Sequence, residues 1–167
     1  PQDPDLGALV DDHAANGFSG AVHVARGDEV LLSRSADDRF WIASTAKQFV
    51  AAAVIKLVEQ GRLGLDDPLS RFFPDAPADK AAITLRQLLS HTSGIGQSYV
   101  SEGHGALAPA VAAMFAEPLA GPPGSGFRYS NSNIQLAVAV VEAVSGMSYP
   151  EFARSVLWAP AGLADTG

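Results

Sequence analysis

The sequence contains no cysteine, so disulfides are excluded, and it has no cluster of lysines and arginines. Its 11 lysines and arginines are outnumbered by 18 aspartates and glutamates, which gives a formal net charge of −7 at pH 7. An acidic chain without a basic cluster argues against nucleic acid and against anionic membranes as partners. Such a chain accommodates neutral or cationic small substrates more easily.

Long uninterrupted apolar runs are also missing. Lys47, Lys56 and Glu142 interrupt the most apolar segments before any of them reaches the roughly 18 residues that a membrane span requires. The four histidines, at positions 13, 23, 91 and 104, do not have the spacing of metal ligands. We therefore predict a chain with no membrane span and no metal site.

What is present is enough apolar content, 47%, to build a core in a chain of 167 residues, the size of one ordinary domain. Periodicity, capping patterns and turn residues predict six helices and two strands. The helices are expected over residues 4–16, 43–60, 84–90, 107–117, 132–145 and 148–158, and the strands over 18–25 and 29–35. Residues 94–105, rich in glycine and serine, are expected to form a loop beside a cleft.

The most informative segment opens with Ser44 and places Lys47 three residues later, in the helix predicted over residues 43–60. Apolar residues cover so many faces of this helix that we expect it to be buried all round. Residues three apart share a helix face, so the hydroxyl and the amine lie side by side. Burial lowers the pKa of a lysine and leaves a neutral base that can take the serine proton. The pair therefore predicts an activated nucleophile, with the N–H of Ser44 as one oxyanion donor.

A purely structural interpretation of the same pair stays open. Ser44 is suited to cap the helix, and Lys47 is long enough to extend its amine to the surface. A serine and a lysine at this spacing also occur often by chance. The pair alone does not distinguish a catalytic site from an ordinary helix start.

A second motif, Tyr129-Ser130-Asn131, ends a loop rich in proline and glycine and precedes the helix predicted over residues 132–145. Loops held between rigid helices often carry catalytic groups. The phenol of Tyr129 can accept and return a proton if nearby cations lower its pKa, and the amide of Asn131 can orient a substrate carbonyl or Lys47. The structural alternative is that Ser130 or Asn131 caps the helix while Tyr129 packs.

Together these motifs resemble the serine β-lactamase and penicillin-binding protein superfamily, in its branch of class C β-lactamases, D-alanyl-D-alanine carboxypeptidases and related esterases. The resemblance runs from about residue 18 to the end and includes residues 40–43, 57–68, 84–95, 123–127 and 161–166. A tyrosine in the second motif is typical of this branch, whereas class A enzymes carry Ser-Asp-Asn there. The resemblance implies an α/β (α+β) fold of the β-lactamase/transpeptidase type. It would consist of a mostly helical region and an N-terminal β-hairpin from an incomplete antiparallel sheet.

By this resemblance, Ser44 is the acylated nucleophile, Lys47 and Tyr129 share the proton transfers, and Asn131 helps to bind the substrate. The implied reaction forms an acyl-enzyme on Ser44 that water then hydrolyses, with no metal or organic cofactor. The bond that is cleaved would be the amide or ester of a β-lactam, a D-alanyl peptide or a small ester. His91 is a tempting triad base, but in this family the His-Thr-Ser-Gly turn closes a helix, and we interpret it as structural.

The family's third motif, Lys or His followed by Thr or Ser and then Gly, does not follow Asn131 in this sequence. The resemblance therefore implies that residues 1–167 are the N-terminal part of a single serine hydrolase domain, without its C-terminal strands. An isolated two-stranded hairpin is only marginally stable in water. We predict that a C-terminal segment or a second chain completes the sheet, and that this chain alone is a poor catalyst.

Two alternatives to an active hydrolase remain open at this point. One is a penicillin-binding sensor that is acylated without turnover, and the other is a catalytically silent scaffold. Because carboxypeptidases and β-lactamases act outside the cytoplasm, the resemblance favours a secreted or periplasmic location, although related esterases can be cytoplasmic.

Overall fold

A computed structural model of the chain describes residues 5–35, 38–98 and 106–166. The chain divides into two compact units, Pro1–Ala43 and Ser44–Gly167. The elements in chain order are α1 (Leu6–Ala15), β1 (Val22–Arg26), β2 (Glu29–Arg34), a 3-10 turn (Ala43–Ala46), α2 (Lys47–Glu59), a second 3-10 turn (Leu69–Arg71), α3 (Leu85–Leu89), α4 (Leu107–Ala116), α5 (Asn131–Ser145), α6 (Tyr149–Phe152) and a π-helical segment (Ala153–Trp158). The predicted combination of a mostly helical region with an antiparallel hairpin is confirmed.

The first unit consists of a helix and a hairpin. Asp5 caps α1, because its side chain accepts a hydrogen bond from the N–H of Ala8 at 3.0 Å. β1 and β2 form a two-stranded antiparallel sheet. α1 contacts β2, and Asp11 of that helix pairs with Arg34 of the strand at 2.6 Å. The N-terminal helix therefore packs on the hairpin.

The first strand starts later than the sequence predicts. We expected residues 18–25, whereas β1 begins at Val22. Val22 pairs with Arg34, the last residue of β2, and Ser35 then adopts a left-handed backbone with φ of 52°. Residues before Val22 therefore have no partner on β2, and the strand cannot extend toward the N-terminus.

The core of the second unit is arranged around α5, which packs against α2, α3, α4 and α6. The fully or almost fully buried side chains of α5 recur at helical spacing, which makes one apolar stripe along the helix. The core also contains apolar residues from its neighbours, among them Val54 and Leu57 of α2, Leu85 and Leu88 of α3, Met114 of α4 and Phe152 of α6. This packing sets the positions of the two helix starts that carry the predicted motifs.

The predicted capping signals are present. At α3, Thr84 and Gln87 form a capping box, with the Gln87 N–H bonded to Thr84 Oγ1 at 3.2 Å and the Thr84 N–H bonded to Gln87 Oε1 at 3.0 Å. Ser148 and Glu151 form a second box at the start of α6. α5 ends at Ser145, and Gly146 directly after it has φ of 74°, the left-handed conformation that glycine adopts without steric cost.

The nucleophile helix differs from the prediction in two respects. Residues 43–46 form a 3-10 turn, so the α-helix itself begins at Lys47. One face of α2 is buried, with its buried residues at positions 50, 53, 54 and 57, whereas Ile55 is 40% exposed. The prediction of a helix buried all round was therefore wrong. Ala51 and Ala52 are only half-buried, and because an alanine side chain is small, its incomplete burial costs little.

Three further predictions concern membrane spans, metal sites and the loop expected over residues 94–105. Within the described ranges, no helix combines the length and the apolar character that a bilayer crossing needs. The same ranges contain no group of three or more acidic or histidine side chains placed to hold a metal ion. Residues 99–105, including Tyr99 and His104 in the predicted loop, lie outside the described residues.

Candidate active site

Ser44 occupies the 3-10 turn that leads into α2, and its side chain is exposed. The residue before it, Ala43, has φ of 44°, a left-handed conformation that costs a non-glycine residue roughly 1–2 kcal/mol. Backbone strain of this kind is held in place by surrounding structure and tends to occur at functional sites. The exposed hydroxyl of Ser44 is thus presented at a sharp bend directly before a helix.

The structure brings three of the predicted site residues together. Lys47 Nζ donates a hydrogen bond to Ser44 Oγ at 2.9 Å. Ser44 Oγ lies 2.9 Å from Tyr129 Oη, close enough for either hydroxyl to donate to the other. Lys47 Nζ is also 5.3 Å from the centre of the Tyr129 ring. Ser44, Lys47 and Tyr129 therefore form one connected group of polar atoms.

Lys47 is only half-buried, so the complete burial that we predicted is not present. The reason is its position in the first turn of α2, at the end of the helix where the exposed hydroxyl of Ser44 also lies. The amine is held by the serine hydroxyl and lies close to the phenol ring of Tyr129. Its contribution to the site is a positive charge beside two hydroxyl groups.

The phenol of Tyr129 ionises more easily than an ordinary tyrosine. Hydrogen bonding from Lys47, and then from Ser44, lowers its pKa. Burial acts in the opposite direction, and the charge of Lys47 lowers the pKa further. Tyr129 is 41% exposed as a whole residue, and its hydroxyl contacts Ser44 Oγ. This hydroxyl is suited to accept a proton from Ser44 and to return it.

Asn131 lies at the first position of α5, and its backbone N–H donates to Gln97 Oε1 at 2.8 Å. Its neighbour Ser130 is buried and donates to the carbonyl oxygen of Gly96 at 2.8 Å. In the described part of the chain, no hydrogen bond joins Asn131 to Lys47, one of the two roles that we considered for it. Binding of substrate by the Asn131 amide stays a prediction.

A buried polar network beside the site was not predicted from the sequence. Ser93 donates to Asn133 Oδ1 at 2.6 Å, and Asn133 Nδ2 lies 3.2 Å from His91 Nδ1. Ser93 and Asn133 are completely buried. The signal that would have revealed the network is an amide on the apolar stripe of α5, four residues before Ala137 and seven before Val140.

His91 is not placed as a triad base. The hydrogen bonds described for its imidazole join it to the Ser130 N–H at 3.3 Å and to Asn133, and none reaches Ser44 within the described residues. Burial, and then the charge of Lys47, lowers the pKa of the His91 imidazole. Its ring packs against that of Tyr129, with ring centres 4.7 Å apart. These contacts agree with the predicted structural role.

The chain after residue 120 approaches the turn that follows His91 very closely. The Ala120 N–H donates to the carbonyl oxygen of Gly94 at 2.8 Å, and the Gly124 N–H donates to that of Thr92 at 2.7 Å. Gly94 has φ of 80°, and a Cβ there would lie 2.1 Å from the carbonyl oxygen of Gly121. Only glycine fits this position, which anchors the loop leading to Tyr129.

Comparison with known proteins agrees with this geometry. Residues 6–167 match the family model described as Beta-lactamase. The chain belongs to the beta-lactamase family. As a member of that family it has the predicted β-lactamase-like fold, and the resemblance found in its motifs is confirmed.

Three proteins that are similar to this beta-lactamase family chain differ in the activities that their names describe. PbpX of Bacillus subtilis (strain 168), provisionally described as a penicillin-binding protein, is 30% identical over 90% of this chain and 41% of its own length. The esterase EstB of Burkholderia gladioli is 30% identical over 86% of this chain and 45% of its own. The D-amino acid amidase of Ochrobactrum anthropi SV3, solved with L-phenylalanine, is 29% identical, with a TM-score of 0.76 over 93% of this chain and 48% of that one. The chain thus spans less than half the length of each.

Proposed function

We propose that this chain carries the nucleophile and the proton-transfer groups of a serine hydrolase that works through an acyl-enzyme on Ser44. The observation that supports this most directly is the contact of Ser44 Oγ with both Lys47 Nζ and Tyr129 Oη, each at 2.9 Å. A nucleophile bonded to a neighbouring base and a cation is the arrangement that activates a serine. Membership of the beta-lactamase family agrees with this assignment.

In the proposed first step, Tyr129 takes the proton of the Ser44 hydroxyl while Oγ attacks the carbonyl carbon of the substrate. The lowered pKa of Tyr129 favours the ionised phenol that this step needs, and the charge of Lys47 stabilises it. The carbonyl C–N or C–O bond then breaks, and the leaving group takes the proton from Tyr129. Water next attacks the Ser44 ester, with Tyr129 accepting a proton from water and returning it to Oγ as acid is released.

The N-terminal ends of two helices lie where negative charge develops in the proposed reaction. Ser44 precedes the first turn of α2, and Tyr129 precedes that of α5 by two residues. The N-terminal end of a helix carries unpaired N–H groups and a partial positive charge, and so favours negative charge nearby. We assign the N–H of Ser44 as one oxyanion donor and Asn131 as a substrate-binding group.

The substrate class that we propose is an amide or ester with an accessible carbonyl: a β-lactam, a D-alanyl peptide or a small ester. The named activities of the relatives support this breadth, since one is an esterase, one is described as penicillin-binding and one is a D-amino acid amidase. The net charge of −7 is compatible with neutral or cationic substrates. We also propose a secreted or periplasmic location, because carboxypeptidases and β-lactamases act outside the cytoplasm.

The test is intact-mass spectrometry after treatment with a fluorophosphonate and, separately, with a penicillin. We expect one phosphonyl adduct, lost in Ser44→Ala and kept in the control Ser155→Ala, which removes an exposed hydroxyl elsewhere in the second unit. Rapid loss of a penicilloyl adduct supports a hydrolase, and a persistent one supports a sensor. The absence of any adduct on Ser44 would overturn the proposal in favour of a silent scaffold.

We further propose that a segment outside this chain, in the same polypeptide or a second one, completes the site. The relatives are more than twice as long as the stretch that matches, and the described strands form a sheet of two. Sheets of this size are marginal without further strands or helices. Supplying a C-terminal segment should raise the rate of ester or nitrocefin hydrolysis, whereas an unchanged rate would contradict this proposal.

A further inference from the structure

His91 closes α3 in a conformation that side chains rarely adopt. Its φ is 55°, in the left-handed region, although it is not a glycine. Its N–H donates to the carbonyl oxygen of Leu88 at 3.1 Å, and its own carbonyl oxygen accepts from the Arg128 N–H at 2.7 Å. The strained backbone of His91 is thus tied to the residue directly before Tyr129.

The imidazole of His91 faces two hydrogen-bond donors. The Ser130 N–H lies 3.3 Å and Asn133 Nδ2 lies 3.2 Å from His91 Nδ1. The Ser93 hydroxyl donates to Asn133 Oδ1 at 2.6 Å and accepts from the Ile95 N–H at 3.0 Å, and this leaves Nδ2 of Asn133 toward His91. Nδ1 must therefore be an acceptor without a proton, and the neutral ring carries its proton on Nε2.

The face of the same ring supports the phenol. The rings of His91 and Tyr129 have centres 4.7 Å apart and planes inclined by 33°, and Phe127 meets His91 edge-on at 5.8 Å. His91 thus contacts the backbone on both sides of Tyr129 and also its ring. Positional errors of about 1 Å at a reacting group can cost about 10²-fold in rate.

We propose that His91 is the positioning residue for Tyr129, and that its neutral imidazole, protonated on Nε2, holds the phenol oxygen within hydrogen-bond distance of Ser44. This inference rests on the proposed function, because it gives that positioning a catalytic purpose. Among the described residues no hydrogen bond joins His91 to the nucleophile, and the proposed steps give it no contact with the substrate. Its effect on the reaction passes through Tyr129.

Protonation of His91 should break its contacts around Tyr129 and so free the phenol from its position beside Ser44. A proton on Nδ1 would replace the acceptor of two hydrogen bonds by a third donor. In the described residues, the titratable groups that face His91 are Lys47 on α2 and Tyr129. The neighbour on α5 is the uncharged Asn133. Leu88 and Arg128 contact His91 through their backbones. Burial and the charge of Lys47 both favour the neutral ring. His91 should therefore keep Tyr129 in position at neutral pH and lose this effect in acid.

The test compares two replacements of His91 that both tolerate its positive φ. Asparagine keeps an acceptor close to the position of Nδ1, and glycine keeps none. We expect His91→Asn to react with a fluorophosphonate within about threefold of the parent rate, and His91→Gly to be slower by about tenfold or more. Equal rates for the parent and His91→Gly would overturn the proposal.

The pH profile separates positioning from a general loss of stability. The parent rate should fall more steeply on the acid side than that of His91→Asn, because the asparagine cannot be protonated in this range. Circular dichroism of each variant reports its folding. If His91→Asn keeps the full acid slope of the parent, or if rate losses only follow the loss of folded protein, the proposal is wrong.

Ultraviolet titration of the Tyr129 phenol distinguishes failure of this inference from failure of the proposed function. The signal of Tyr129 is obtained by difference from Tyr129→Phe. We expect the phenol to titrate at a higher pH in His91→Gly than in the parent, because it loses its contact with Lys47 and Ser44. This shift supports His91 as the positioning residue even if Ser44 is not acylated, and its absence contradicts that role even if Ser44 is acylated.

Discussion

The hydroxyl oxygens of Ser44 and Tyr129 lie 2.9 Å apart, although 85 residues separate them along the chain. Each residue stands just before the first turn of a helix, and these two helices, α2 and α5, pack against each other. Their common apolar interface aligns the two helix starts, so packing in the core decides the geometry of the site. The proposed chemistry depends on this alignment.

Lys47 should be needed for activation of Ser44. We expect Lys47→Ala to reduce the rate of fluorophosphonate labelling by about 10²-fold, because the charge that supports the ionised phenol is lost. The pKa of Tyr129 should rise in the same variant, since hydrogen bonding from Lys47 is the main cause of its lowering. Lys56→Ala is the matched control, because Lys56 is a half-buried lysine on the same helix that pairs with Glu59. Labelling at the parent rate in Lys47→Ala would remove this residue from the mechanism.

Tyr129→Phe should also slow labelling by about 10²-fold, because it deletes the group that takes the serine proton. The ring that packs on His91 is kept, so the thermal unfolding temperature should change little. Tyr149→Phe serves as the control, since Tyr149 lies on α6 and has no hydrogen bond to Ser44 or Lys47 among the described residues. A Tyr129→Phe chain that reacts like the control would assign the proton transfer to another group.

Gly94→Ala should destabilise the chain more than Gly61→Ala does. Both glycines have positive φ, so alanine costs roughly 1–2 kcal/mol at either position. At Gly61 a Cβ meets nothing within 4 Å, whereas at Gly94 it collides with the carbonyl oxygen of Gly121. Forcing the backbone apart there should cost a further ~1–3 kcal/mol. Denaturant unfolding of both variants gives the comparison, and equal losses would mean that the close approach of these two segments is not required.

Asp67 should make stability depend on pH in the acid range. Its pKa is lowered first by the N–H of Gly64 and then by Arg71. A carboxylate whose folded-state pKa is depressed stabilises the fold above its unfolded pKa, and this contribution is lost as pH falls through the folded-state value. Asp67→Asn should therefore be less stable than the parent at neutral pH, with the difference shrinking in acid. Urea unfolding across this pH range checks the prediction, with Asp75→Asn as an exposed control.

Features that depend on neighbours in the chain could be read from the sequence. The spacing of Ser44 and Lys47 brings their side chains together, the capping box at Thr84 sets the start of α3, and Gly146 follows the last residue of α5. Each is a contact within about four residues, so local geometry alone determines it. The motifs were also dense enough to indicate the beta-lactamase family.

Burial and distant contacts required the tertiary structure. The exposure of Lys47, the contacts of His91 and the network through Asn133 depend on which helix faces meet, and apolar periodicity does not encode that pairing. The length of β1 likewise depended on where its partner strand ended. Local patterns therefore identified the reactive groups, while packing of segments far apart in the chain decided their distances, their solvent exposure and their protonation, because each of these is set by neighbours that only folding supplies.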